Sequence, residues 1–260
     1  MTITRSQMIG LRQNQLHRAR RGVLSAAGAG GGSLDMITGD GSTYLEASDV
    51  THPTLPSAIT ISFWCDLETL DAATTFMYAL GGITQFDARF LGGVDGYIVN
   101  ARGAGSVFAI QWQNSSSLDG AGPYHVMVRG NYDPSDDGEG FFDGVSEFTD
   151  TTFSGTSFGG WSNTYIGCST SNSSPLNSNG RFGDLWMGAG DITDPVGVFI
   201  DALGNPLPPS DASGTYGGIT PWIWFSGLDA FDTGVNAGSG GGTFSKTGSG
   251  FALAESIDYA

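Results

Sequence analysis

The sequence predicts an all-β sandwich, and three observations point there. Glycine is 42 of the 260 residues, scattered between short apolar runs with no G-X-Y period, which means many tight turns. Apolar residues make up 39% and charged residues 14%. That is enough to fill a core and well short of the usual quarter of charges. The run Ala58-Ile59-Thr60-Ile61-Ser62-Phe63-Trp64-Cys65-Asp66 alternates. Ile59, Ile61, Phe63 and Cys65 share one face, and Thr60, Ser62, Trp64 and Asp66 the other, the pattern of a strand packed on one side. A chain of this length fits one sandwich domain.

Along the chain, residues 4–24 are the one candidate for a helix of any length. Met8, Leu11, Leu16, Ala19 and Val23 recur at spacings of three to five, an imperfect amphipathic stripe broken by Gly10. Such a segment is marginal alone in water, so it is read either as an anchor that folds against a partner or as a frayed tail. Ala26 to Ser33, AAGAGGGS, reads as a flexible linker. The expected division is an Arg-rich anchor and linker over 1–33 and a sandwich over 34–260, with 195–260 packed on it as an extension.

Thr43–Glu46 is the first expected strand, followed by Ala58–Asp66. Phe76–Ile83, Gly96–Ala101, Val107–Gln113, Tyr124–Asn131, Gly140–Val145, Thr164–Ser169 and Arg181–Met187 come next, each bounded by Gly, Asn, Asp, Ser or Pro. Asp133–Gly140, DPSDDGEG, reads as a hairpin turn. Pro221–Ser226 and Gly242–Ser245 suggest a later strand pair. Trp222 and Trp224 flank Ile223 there, so one face is expected to be aromatic and to pack on the body or on a neighbouring subunit.

Net charge is −16, divided unevenly. Residues 1–21 carry Arg5, Arg12, Arg18, Arg20 and Arg21 and no acid, or +5, whereas residues 22–260 carry −21. An acidic body repels phosphates, which argues against nucleic acid as its partner. The basic leader suits an acidic surface, including another copy's body, so a homo-oligomer is expected. No apolar run reaches the length of a membrane-spanning helix. Val23–Ala27 is too short and too weakly apolar for a signal sequence, which favours a setting where Cys65 and Cys168 stay reduced. Both cysteines fall in phase with core-facing residues, and buried independent thiols are expected rather than a bridge.

Several runs, in order, resemble the laminin-G-like, concanavalin A-like jelly-roll family. Gly41–Leu45 is similar to its opening strand and Ile59–Trp64 to its "TISxW" strand. Tyr124–Val128 with Asn131-Tyr132-Asp133 is similar to "WHHVAxxYD", although Pro123 stands where the family has Trp. Phe141–Val145 matches its "YVDGV" hairpin, and Tyr165-Ile166-Gly167 and Asn179–Met187 its last two strands. The resemblance spans roughly residues 40–195 and implies a jelly-roll β-sandwich. The C-terminal runs Phe199–Asp201, Gly217–Phe225 and Asn236–Gly248 resemble a tail that follows such domains in phage and prophage virion proteins. That implies a structural or receptor-facing role on a particle.

Glycosidases of this fold need two carboxylates at a controlled separation, held as E-x-D-x-x-E on one strand face. The five glutamates, Glu46, Glu68, Glu139, Glu147 and Glu255, do not form that pattern. His17, His52 and His125 lie far apart, and His125 is read as structural or surface. No G-x-S-x-G nucleophile elbow, phosphate loop or C-x-x-C pair is read in the sequence. The acidic turn Asp133, Asp136, Asp137 and Glu139 offers hard oxygen ligands for calcium, but without EF-hand spacing a solvated turn is favoured. Trp64, Tyr97, Trp112 and Trp186 are candidates to stack on sugar rings from a concave sheet, against ordinary packing for any one of them.

The resulting expectation is a non-enzymatic virion accessory protein: head fibre, capsid decoration or tail-associated. Its leader anchors it to other virion proteins, and its lectin-like domain projects toward host cell-surface polysaccharide. No cofactor, nucleic acid or membrane enters. A cellular carbohydrate-binding or adhesion module is the alternative, and a glycan hydrolase the remoter one.

Overall fold

The computed structural model describes residues 33–48, 50, 58–67, 74–81, 84–91, 96–103, 106–113, 123–131, 138–150, 163–168 and 180–260, some of the strands by their backbone alone. The predicted leader helix, its five arginines and the Gly linker up to residue 32 lie outside the described residues.

The described strands are β1 Ser33–Thr38, β2 Tyr44–Ala47, β3 Ala58–Leu67, β4 Thr74–Gly81, β5 Thr84–Leu91, β6 Gly96–Gly103, β7 Ser106–Gln113 and β8 Tyr124–Asn131. They continue as β9 Gly138–Phe142, β10 Val145–Asp150, β11 Asn163–Ile166, β12 Gly180–Gly188, β13 Pro221–Phe225, β14 Ser245–Thr247 and β15 Ala252–Asp258. One short helix, α1 Leu228–Thr233, interrupts the described C-terminal strands. The strands form two antiparallel sheets. The first has the order β10-β9-β8-β3-β12-β1-β15, with β13 also on β12, and the second β14-β2-β11-β4-β5-β6-β7. The runs β8-β9-β10 and β4-β5-β6-β7 are neighbours in sequence as well as in space, whereas β3, β12 and β1 lie side by side from distant parts of the chain, and the molecule is an all-β sandwich of two antiparallel sheets.

The alternation in β3 sets the core. Ile59, Ile61, Phe63 and Cys65 meet Val126 and Val128 of β8, Phe182 and Met187 of β12, and Leu45 and Ile166 from the second sheet. Cys65 and Cys168 are both buried, in different clusters, and form no disulfide with each other. The hairpin between β9 and β10 turns on Asp143-Gly144 alone, both at positive φ (47° and 79°). This is the two-residue turn that an Asp-Gly pair favours. The single strand predicted over Gly140–Val145 is therefore two strands and their turn. Likewise the turn predicted over Asp133–Gly140 gives way to strand at Gly138.

The C-terminal stretch does more than pack on the body. It supplies β13 and β15 to the first sheet and β14 to the second. β15 pairs with β1, Ser33 opposite Asp258, so the start and the end of the described body share one rim. The tryptophan face predicted for β13 does not form. The register slips between Met187 and Gly188, and this bulge turns Trp222 into the inter-sheet core while Trp224 packs on the outer side.

Candidate functional site

The outward face of the first sheet was expected to be open, and it is covered. Thr60, Ser62, Trp64 and Asp66 of β3, His125 and Met127 of β8, and Trp186 of β12 are all buried. Residues 189–220 lie over them. Ile192, Phe199, Ile200 and Tyr216 from that segment form one apolar cluster with Leu34, Met36, Trp64, Met127, Phe141 and Trp186. Hydrogen bonds stitch the cover at its near end: Gly190 N donates to Ala58 O at 3.1 Å, Thr60 Oγ1 donates to Gly190 O at 2.8 Å, and Ile192 N donates to Thr60 Oγ1 at 3.0 Å. At the far end the Trp186 indole donates to Gly214 O at 2.8 Å.

This placement corrects two of the four stacking candidates. Trp64 and Trp186 are 4% and 0% exposed, with Trp64 beside the His125 ring at 5.3 Å and Trp186 edge-on to Phe199 at 5.2 Å. They fill a second core and present no ring face to a sugar. The reason lies in the C-terminal segment, whose apolar residues need a partner face and find this one. Tyr97 and Trp112 stand elsewhere, directly opposite each other in the register of β6 and β7 in the second sheet. The structure thus separates the four candidates into a covered pair and a cross-strand pair.

His125 lies in the covered layer. Its Nε2 is 2.8 Å from Ser62 Oγ, and burial lowers its pKa to about 3, so the imidazole is neutral. The backbone N of His125 donates to Asp143 Oδ1 at 2.8 Å. Serine, histidine and aspartate are close, but the carboxylate meets the histidine backbone and not the ring. The pair is also sealed under Phe199, whose ring is 5.6 Å from the imidazole. One string corrects the sequence reading: Gly155-Thr156-Ser157-Phe158-Gly159 does carry G-x-S-x-G spacing. It lies outside the described residues, and the strand–turn–helix setting that gives this motif its chemistry belongs to α/β folds.

Of the acidic turn, Asp133, Asp136 and Asp137 lie outside the described residues. Glu139 is inside β9, and Arg129 holds it: Nη2 is 3.0 Å from Glu139 Oε2, while Nη1 reaches both oxygens of Asp191 at 3.1 Å. A guanidinium sits on the carboxylate that was proposed as a calcium ligand. No group of metal-ligating side chains occurs among the described residues, and no described helix is long and apolar enough to cross a membrane. The Arg129 triad joins β8, β9 and the cover, half-screened from water. Replacing Arg129 by Met leaves two carboxylates facing each other and should lower stability by about 2 kcal/mol. Adding Glu139→Gln and Asp191→Asn should recover most of it, as read from urea melts of the three proteins.

Sequence reasoning missed Asp184, Tyr216 and Tyr259. Asp184 is buried, with the Trp224 indole donating to its Oδ1 at 2.9 Å. Burial raises the hydroxyl pKa of both tyrosines, the foremost of several causes. No local motif marks them, because three separate segments of the chain bring them together.

No family model matches the chain, and no curated protein matches it. Among solved structures it is similar to domains LG4-5 of the mouse laminin alpha1 chain, with 10% identity over 63% of this chain and 43% of that one and a TM-score of 0.45. It is also similar to the receptor binding domain of botulinum neurotoxin D, with 10% identity over 67% and 47% and a TM-score of 0.48. A third is the heptameric SAP-like pentraxin of Limulus polyphemus, with 13% identity over 62% and 78% and a TM-score of 0.44. The chain spans less than half the length of the laminin and neurotoxin chains it matches.

Proposed function

We propose that this protein is a non-enzymatic accessory component of a phage-like virion. Its arginine-rich leader anchors it to other virion proteins, and its sandwich projects as a lectin-like module toward host cell-surface polysaccharide. The observation that carries the reading is the division of charge along the chain. Five arginines and no acid precede residue 22, and the body behind them carries −21. Arginine suits fixed, forked contacts to carboxylates, which another virion protein or a second copy's acidic body supplies. The architecture supports the same division of labour. The described body opens at Ser33, opposite Asp258 on the rim shared with β15, so the point where the leader attaches lies at one edge of the first sheet.

With Trp64 and Trp186 in the covered layer, the sugar-stacking role passes to Tyr97 and Trp112, paired across β6 and β7. Aromatic rings on neighbouring strands offer apolar faces at low conformational cost.

Deleting residues 1–24 tests the anchor. The truncated chain should melt at the temperature of the full chain and should no longer co-sediment with assembled particles. Incorporation at the full-length level would remove the anchoring role. A polysaccharide array probed with the full chain, Tyr97→Ala and Trp112→Ala tests the second arm. Signal on host glycans that drops at least about tenfold in either variant is expected, and silence from every glycan would reduce the role to a structural one.

A further inference from the structure

Asp184 occupies the point where β12 changes partners. β1 pairs with Arg181 and Phe182, and β13 pairs with Leu185 to Gly188. Between them the register with β3 shifts, and Asp184 adopts φ 46°, a conformation uncommon for a non-glycine residue. Its carboxyl is buried among polar groups of the C-terminal segment: Trp224 Nε1 donates to Oδ1 at 2.9 Å, the Ser226 hydroxyl bonds to the carboxyl, and the Tyr216 hydroxyl oxygen lies 3.4 Å from Oδ2.

The hydrogens do not divide evenly. Tyr216 has one hydroxyl hydrogen and two oxygens in reach, Asp184 Oδ2 at 3.4 Å and Leu207 O at 3.0 Å. A carbonyl accepts and never donates, so the closer Leu207 oxygen takes the tyrosine's hydrogen. The Tyr216–Asp184 contact then holds a hydrogen only if the carboxyl supplies it.

We propose that Asp184 is a neutral carboxylic acid in the folded protein at neutral pH, donating to the Tyr216 hydroxyl. In this role it is the pin that holds the C-terminal cover to the sheet and releases it in alkali.

The surroundings agree. Tyr216 faces Asp184 from the cover and Tyr259 from the C-terminal tail. Asp35 of β1 adds negative charge near Tyr259. From β13 and the residue after it come the Trp224 indole and the Ser226 hydroxyl. The cation on its own strand, Arg181, is directed to Asp66 and Glu255. Burial, the largest influence, pushes the Asp184 carboxyl up, against its hydrogen-bonding neighbours, of which the Trp224 indole is the foremost. A carboxyl whose folded pKa is raised contributes fully below its unfolded pKa of about 4, and the contribution is lost progressively as pH rises from there to the folded pKa.

Infrared spectroscopy of the unaltered protein at neutral pH decides the protonation state without any variant. A protonated-carboxyl band that disappears on unfolding is expected, and its absence overturns the proposal. Thermal melts of the unaltered protein and Asp184→Asn, compared across pH, test the pin. The unaltered protein should lose about 3 °C per pH unit relative to the variant from about pH 4 up to the folded pKa, and the difference should level off beyond it. The comparison cancels the contribution of His125, and parallel curves refute the pin. Should Asp184→Asn not fold, the infrared band still decides the neutral acid, and alkaline exposure of Trp186 and Trp224 to a fluorescence quencher in the unaltered protein tests the release.

Discussion

Trp186→Ala is expected to lower stability by about 4 kcal/mol, near the top of the range for a buried aromatic. Trp186 is fully buried and central to the covered layer, edge-on to Phe199 at 5.2 Å and to Tyr216 at 6.2 Å. Its indole N–H occupies Gly214 O. Alanine removes the ring, opens a cavity beneath residues 189–220 and leaves a buried carbonyl without its donor. In a chain of this size the melting temperature should fall by about 12 °C. Hydrogen exchange should accelerate over 189–220 before it does so in β3 and β8, whose inner faces rest on the other core. A melting shift under about 3 °C would mean that the cover does not depend on this ring. The same variant informs function, since a polysaccharide signal that survives it places the sugar contacts away from the covered face.

The second large effect is expected at Gly183. A Cβ built there falls 2.3 Å from Asp35 O, a backbone atom of β1, and 3.2 Å from Met36 Sδ. Gly183→Ala must therefore push β1 away from β12, and β1 carries β15 on its far side. Overpacking of this kind costs about 3 kcal/mol, concentrated on the rim where the leader joins the body. Circular dichroism should retain the sandwich signal with a melting temperature about 9 °C lower. Limited proteolysis should cut first near residue 33 and in β15. Gly183→Ser should behave like alanine, because the obstacle is backbone and cannot rotate aside. An alanine variant as stable as the parent would show that β1 does not approach β12 so closely.

Much of the sandwich was legible because a period of two is a local property. The alternation in Ala58–Asp66 and Tyr124–Asn131 located β3 and β8 to within a residue. Asp143-Gly144 carries its turn in its own chemistry. β1, β5 and β15 were not seen. In β1, Leu34, Met36 and Ile37 are all buried, so no alternation survives, and the register with β15 shifts between Met36 and Ile37. β15, ALAESID, is almost wholly exposed and becomes a strand because β1 offers an edge. The aromatic candidates divided in a similar way. Identity alone cannot tell a tryptophan that stacks on a ligand from one that fills a core. The segment that buries Trp64 and Trp186 lies far along the chain from Trp64, on residues such as Phe199 and Tyr216.

By itself, then, the amino-acid order determined the all-β class, most strands and the split between a basic leader and an acidic body. Each of these follows from side chains a few positions apart or from simple charge. Only the tertiary structure decided that the outer face of the first sheet is a second core, that Arg129 engages Glu139 and Asp191, and that Asp184 meets Trp224 and Tyr216. Those outcomes depend on contacts between segments tens of residues apart, where burial and hydrogen bonding are set by what the fold brings together and leave no periodic trace along the chain.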